Sequence, residues 1–282
     1  MRLLGDIGGT NARFALASGD DDLMEVRVFP VADAARFEDG LAGYLGHLDR
    51  DLRQDLKDVA IAAAGPVVDH CIRMTNADWE ISALAVHTVC PGVPVHIVND
   101  LEAVALALPV LGPADLRNLH RGSPPLEPAP LLCLNVGTGF GAAVAHYSEN
   151  RWHTLPTEAG HIALALQSPE EQAILAPSTS IEGVLSGPGL ANLSTSIGDS
   201  VHARQIFSRF LGRVAGDLAL ATGSWGGIYL CGGVLSRLEE TVNLEIFLDG
   251  LHNRCGLARR LGTVPVHHII NPRPAFVGLA QL

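Results

Sequence analysis

The groups best able to do chemistry stand in a few short stretches. "GDIGGTNARF", Gly5 to Phe14, sets Asp6 just before Gly8, Gly9, Thr10 and Asn11. "GTGFG" repeats the theme with Gly137, Thr138 and Gly139. Backbone N–H groups in a tight glycine turn form an anion-binding concavity without side-chain charge. Glycine also lets the main chain come close to a phosphate. A carboxylate such as Asp6 beside phosphates needs a cation between them, and Mg2+ is the natural one. "HIVND" puts Asn99 and Asp100 where a buried strand gives way to a helix. Asp100 reads as a helix N-cap, or as a general base at the carboxyl end of a strand, where open α/β sheets bind ligands. The two readings do not exclude each other.

"PTEAGH" holds Glu158 and His161 three residues apart. Pro156 and Gly160 favour a loop, in which a carboxylate and an imidazole can both hydrogen-bond adjacent hydroxyls of a polyol. Thr179-x-x-Glu182 reads as a capping box. "GGIYLCGGV" is a buried strand ending in Gly232-Gly233, which makes a plain tight turn or a flat rest for adenine.

Composition narrows the chemistry. The chain has 282 residues, 48% of them hydrophobic, and a net charge of −11. Lys57 is its single lysine, and no basic stripe exists, which argues against a nucleic-acid partner. An anionic ligand must therefore be held by backbone amides, helix N-termini or a metal. "GTGFGA" matches a dinucleotide fingerprint, but that fingerprint requires a helix directly after the glycines, and "AAVAHY" alternates like a strand. A phosphate loop of the lysine type fails for want of the lysine. Five cysteines without C-x-x-C spacing suggest reduced thiols and no structural zinc. "MRLLGDIGG" meets a charge too early for a signal peptide, and the longest apolar run is about half a membrane span. A soluble cytoplasmic protein without a membrane partner is expected.

These groups need elements to position them. "RLLGDIGG", "ARFALAS" and "MEVRVFPV" read as three strands, and "AARFEDGLAGYLGHLDRDL" as one helix. "DVAIAAAGPVV" and "PVHIVN" are buried strands, the latter followed by the helix "DLEAVALALPVL". Residues 112–130, rich in Pro and polar groups, read as a connection with a domain boundary just before it. The opening pattern then recurs: Asn135-Val136-Gly137 aligns with Asp6-Ile7-Gly8 as the start of a second hairpin. Helical stretches follow at 168–176, 178–187, 189–197 and 203–223. After them come the strand "GGIYLCGGV", a helix near 243–251, the strand "VPVHHII" and a last helix "AFVGLAQL".

Taken together, these motifs resemble the bacterial glucokinase family. "GDIGGTNARFAL" and "GTGFG" resemble its two phosphate motifs, and "MTNADWEIS" its small-domain motif. "VNDLEAVALALP", "EAGH", "IEGVLSGPGL" and "GGIYLCGGV" follow in the family's order. The resemblance implies an α/β chain of the two-lobed, actin-like (ribonuclease H-like) ATPase fold with a central cleft. Its small α/β domain would span 1–110 joined by 270–282, and its large α/β domain 111–269. The implied activity is transfer of the γ-phosphate of ATP to the 6-hydroxyl of glucose, with Asp100 as base. Asn76, Asn99, Glu158, His161 and Glu182 would bind the sugar. Asp6 would sit near Mg2+, and Gly8, Gly9, Thr10, Asn11, Gly137, Thr138 and Gly139 near the phosphates. Gly232 and Gly233 would border adenine. A homodimer is what the family suggests. Alternatives are a kinase for another hexose and a sugar-binding regulator without turnover. The sequence departs from the family at Thr157, where glycine is usual, at "IALAL" after His161, in a trimmed segment after Leu193 and in a short last helix. The cysteine-rich zinc motif of the related repressor/kinase family is absent.

Overall fold

The computed structural model describes residues 1–19, 23–74, 77–175, 180–253 and 256–282. The chain forms two compact units, Met1–Val110 with Pro272–Leu282, and Leu111–Asn271.

In the first unit, β1 (Arg2–Ile7), β2 (Asn11–Ala17) and β3 (Leu23–Pro30) form an antiparallel meander. After α1 (Phe37–Gly46) and α2 (Arg50–Gln54), β4 (Asp58–Ala63) pairs parallel to β1. A small hairpin of β5 (Cys71–Arg73) and β6 (Glu80–Ser82) follows, then α3 (Ala83–His87). Next, β7 (Val95–Asn99) pairs parallel to β4 and leads into α4 (Asp100–Ala107). The sheet order is β3-β2-β1-β4-β7.

Successive residues along β1 point to opposite faces. Leu3 and Ile7 join Phe14, Ile61, Phe37 and Tyr44 in one core, where Phe14 stacks on Tyr44 with ring centroids 5.3 Å apart. Leu4 joins Ala15, Ala60 and Ala62 on the other face, under Ala103 of α4 and under Phe276 and Leu279. The alanines on this second face let the helices lie close to the sheet.

In the second unit, β8 (Leu116–His120) precedes β9 (Leu131–Val136), β10 (Phe140–Ser148) and β11 (Arg151–Thr157). The helices α5 (Pro169–Leu175), α6 (Ile181–Val184), α7 (Gly187–Ile197) and α8 (Ser200–Thr222) follow. Then come β12 (Gly227–Cys231), α9 (Leu238–Thr241), α10 (Leu244–His252), α11 (Ala258–Leu261) and β13 (Val266–Ile269). The sheet order is β11-β10-β9-β12-β13-β8, with β9, β12 and β13 parallel. Apart from β8, this repeats the first sheet strand for strand. The 23-residue α8 is delimited by its ends. Asp199 Oδ1 accepts from the Val201 and His202 N–H groups, and Gly223 closes the helix at φ +65°.

Two expectations differ from the structure. The helix expected over 34–52 is two, because the chain leaves helical geometry after Gly46 and restarts after Asp49. Residues 112–130 are not all connection: Leu116–His120 form a strand antiparallel to β13. "LRNLH" carries no alternation, so it pairs because β13 offers an open edge rather than because its own pattern demands a strand.

The last helix, α12 (Pro274–Leu279), returns to the first unit and packs on α4. Gly278 lies so close to the Ala103 carbonyl that a Cβ there would collide with main-chain oxygen. Gly278→Ala is therefore expected to cost about 1–3 kcal/mol in thermal or denaturant unfolding. Gly43→Ala, in the exposed interior of α1 with open space around it, is expected to leave stability unchanged or raise it by up to about 1 kcal/mol. Equal effects of the two would remove the close α4–α12 approach as a constraint.

Candidate active site

Because β1, β4 and β7 run parallel, their carboxyl ends share one edge of the first sheet. β1 delivers Asp6 there, and the chain turns over Gly8–Thr10, with the Gly8 N–H donating to the Asn11 carbonyl at 3.0 Å. The hairpin register sets Arg13 directly opposite Asp6, and Arg13 Nη1 donates to Asp6 Oδ2 at 2.9 Å. Burial raises the Asp6 carboxyl above its ordinary value, and the Arg13 charge opposes that rise.

At the end of β7, Asn99 is the N-cap of α4, not Asp100. Asn99 Oδ1 accepts from the Leu101 N–H at 3.0 Å and the Glu102 N–H at 3.4 Å, and Glu102 Oε2 accepts from the Asn99 N–H at 3.4 Å. Asn99 Nδ2 donates to the Gly65 carbonyl at 3.0 Å, which ties α4 to the loop after β4. The Asn99 amide is thus largely occupied in holding the helix start, with one N–H left for a ligand. Asp100 becomes the first helical residue. Its Oδ1 accepts from the Leu101 N–H at 2.8 Å, and it has no arginine or lysine partner in any ion pair among the described residues. Burial pushes its carboxyl up to about 6; the negative charge of Asp6 adds to the rise, and hydrogen bonds from Leu101 and Asn99 oppose it. One edge therefore holds two mutually repelling carboxylates, one paired with arginine and one poised to take a proton near neutral pH, a pattern that marks acid–base sites.

The second unit builds a turn of the same kind. Gly137–Gly139 link β9 to β10, with the Gly137 N–H donating to the Gly139 carbonyl at 2.9 Å. The Gly187 N–H at the start of α7 donates to the Gly137 carbonyl at 2.8 Å. Gly232 follows β12 at φ +107°, in the left-handed region that favours glycine, and a Cβ there would strike the Val136 carbonyl. Gly233 N lies 3.9 Å from where a Gly137 Cβ would stand. The two glycine motifs expected to hold phosphate and adenine are thus neighbours within this unit.

Glu158 follows β11 and precedes a single 3-10 turn, Ala159–His161. Its side chain is 76% exposed and that of His161 71%, with Oε2 and Nε2 3.8 Å apart, so both are free to meet a ligand. Thr157 is not idle in its unusual place. Its Oγ1 donates to the Ala142 carbonyl at 2.7 Å and accepts from the Ala159 N–H at 3.3 Å, fixing the start of this turn. Glu182 lies on α6, whose cap is Ser180, with Oγ accepting from the Gly183 N–H at 3.2 Å. Three residues on from this cap stands Gly183, so Glu182 closes no capping box with it; Thr179 lies outside the described residues. Glu182 Oε2 instead accepts from the Phe140 N–H at 2.9 Å. Asn76 also lies outside the described residues.

Sequence reasoning missed Arg13, Ser180 and the Glu182–Phe140 bond. Four residues, 8–11, lie between the paired Ile7 and Ala12; a loop of that length places residue 6 opposite 13, so Arg13 could have been found. The other two depend on the path of α6, which no local pattern carries. Among the described residues no group of three or more His, Cys, Asp or Glu could hold a metal. Arg13 engages only Oδ2 of Asp6, which leaves Oδ1 for Mg2+ that arrives on phosphate oxygens, an ion that usually keeps waters and takes only one or two protein carboxylates.

Comparison with known proteins shows the family. The glucokinase family model matches residues 3–205 and 196–282. The glucokinase of Erwinia tasmaniensis is 32% identical over 98% of this chain and 94% of its own length. That of Nitrobacter hamburgensis is 33% identical over 100% and 97%. The crystal structure of a glucokinase from an Antarctic psychrotroph superposes with a TM-score of 0.87 at 27% identity, covering 99% of this chain and 97% of that one. The ROK hexokinase of Thermus thermophilus, at 19% identity, shares the fold with a TM-score of 0.68 over 99% and 96%. The fold is that of the actin-like ATPases, and the chain belongs to the glucokinase family.

Proposed function

We propose that this chain is a glucokinase, moving the γ-phosphoryl group of ATP to the 6-hydroxyl of glucose with Asp100 as the general base. The observation that carries the assignment of the base is the carboxylate of Asp100, without a cationic partner among the described residues and raised by burial to about 6, at the carboxyl edge of parallel strands. Such a group is ionised at neutral pH and close enough to neutrality to accept an alcohol's proton as the oxygen attacks phosphorus. Phosphoryl transfer needs little covalent work from the protein and much positioning and charge stabilisation. Glu158, His161 and Glu182 supply acceptors and donors for sugar hydroxyls, and Asn99 its remaining N–H. The glycine turns at 8–10 and 137–139 supply backbone N–H groups for phosphates, as a chain with one lysine requires. Mg2+, carried in on the nucleotide, would neutralise phosphate charge beside Asp6. Among the described residues no helix is long and apolar enough to cross a membrane.

The deciding assay is ADP release from Mg·ATP with glucose, mannose, fructose, N-acetylglucosamine or no sugar. Glucose-dependent release is expected, falling about 10²–10⁴-fold in Asp100→Ala. Release with a different sugar would move the substrate and keep the chemistry; no release with any sugar, with glucose still bound, would leave a regulator.

The base also has a pH signature. Wild-type kcat/KM is expected to fall about tenfold per pH unit below about 6, as Asp100 takes up its proton.

Stability should move the other way. The folded pKa lies above the ordinary 3.8, so the native state binds the proton more tightly and loses stability as pH rises from about 4 to about 6. Asp100→Asn keeps an acceptor for Leu101 and removes the buried charge. Its stability advantage over wild type is expected to widen across that window, to at most about 3 kcal/mol at pH 7. A constant difference in Tm from pH 4 to 7 would sink this account.

A further inference from the structure

The geometry points to Glu182 as a residue shared by both substrates: one carboxylate orders the Gly137–Gly139 turn for phosphate and accepts a hexose hydroxyl, so that glucose and ATP bind cooperatively. The inference rests on the reading of Glu182 as a sugar ligand.

Three contacts within the second unit carry it. Glu182 Oε2 accepts from the N–H of Phe140, the residue that closes the turn. A Cβ on Gly139 would collide with that same oxygen, so the turn and the carboxylate are fitted to each other. At the turn's other end the Gly137 carbonyl is held by the Gly187 N–H. Glu182 and Gly187 belong to one short segment, α6 leading into α7, joined through the buried Ser186, whose Oγ caps α7 by accepting from Gly189 at 3.1 Å. That segment grips the turn at both ends.

The sugar loop meets the same point. Gly160, between Glu158 and His161, packs so closely on the Phe140 carbonyl that a Cβ would clash, and that Cβ would stand 3.5 Å from the Cβ of Glu182. Phe140 is therefore flanked by the sugar loop on its carbonyl side and by Glu182 on its N–H side. A carboxylate has about four lone-pair sites, and no hydrogen bond engages Glu182 Oε1 among the described residues. A hydroxyl donating to this carboxylate fixes its rotamer. The Phe140 bond, already made without sugar, then opens less often, and the ordered turn presents its N–H groups to phosphate. By linkage the effect is reciprocal: glucose tightens the nucleotide by the factor by which the nucleotide tightens glucose.

The test is calorimetric titration of the non-hydrolysable analogue β,γ-imido-ATP with Mg2+ into wild type, Glu182→Ala and Glu182→Gln, each with and without saturating glucose, and of glucose alone into each. In wild type, glucose is expected to tighten the analogue about fivefold or more. In Glu182→Ala that factor should fall to about one, while glucose alone binds about tenfold more weakly. Glu182→Gln keeps an acceptor for Phe140. It should restore sugar-free analogue affinity to within about twofold of wild type, a rescue that also guards against misfolding of the alanine variant. Coupling that survives in Glu182→Ala, or an analogue affinity indifferent to glucose in wild type, overturns the inference. Undiminished glucose binding by Glu182→Ala removes Glu182 as a sugar ligand and the inference with it. Wild type that binds the analogue but no glucose overturns the glucokinase reading itself, a result distinct from the others.

Discussion

Parallel strands cannot be joined by tight turns, so each next strand must be reached by a crossover, and all carboxyl ends gather on one side. The rest of this molecule depends on that constraint. β1, β4 and β7 bring Asp6, the loop at Gly65 and the Asn99–Asp100 junction to a common edge. β9 and β12 do the same for the turn at Gly137 and the corner at Gly232. Both sheets add an antiparallel hairpin to the first parallel strand, and in each case the hairpin's turn lies at that edge. These edges suit the proposed chemistry because the main chain there has N–H groups still to satisfy and a helix about to begin.

What the edges hold is set by a scarcity. With one lysine in 282 residues and a surplus of acids, the protein cannot neutralise phosphate with ammonium groups. On the proposed reading it uses backbone donors, and the small residues around them follow from the need to bring main chain close to the ligand. Among the described residues Asp100 has no cationic partner in any ion pair. Arg13 serves Asp6, so the two carboxylates differ in state although they share a sheet edge. Stability is lost where the unpaired charge is buried, and a proton acceptor is gained.

Much of this could be read from the residues, for stated reasons. Glycine pairs after buried apolar runs announce turns at sheet edges, and an alternating run after "GTGFG" excludes the helix that a dinucleotide site requires. The cap of α4 could not be read, because Asn and Asp both cap well and sequence does not say which residue steps out of the helix first; Asn99 does, and Asp100 is released for other work. The strand β8 escaped because its pairing comes from an exposed neighbour rather than from its own side chains. The bond from Phe140 to Glu182 escaped because it spans 42 positions and hinges on where a four-residue helix happens to lie.

The return of α12 to the first unit has a consequence for biosynthesis. Residues 111–271 form a continuous unit, whereas the unit that holds Asp100 needs Pro272–Leu282 to cover the alanine face of its sheet and to back α4. On the ribosome, where domains generally fold as units in order of synthesis, the second unit has all its residues before the first has its last helix. The helix that presents the proposed base is thus braced by a segment translated more than 160 residues later, and a nascent chain interrupted before residue 272 would carry every proposed catalytic and ligand-binding residue without the helix that packs on α4.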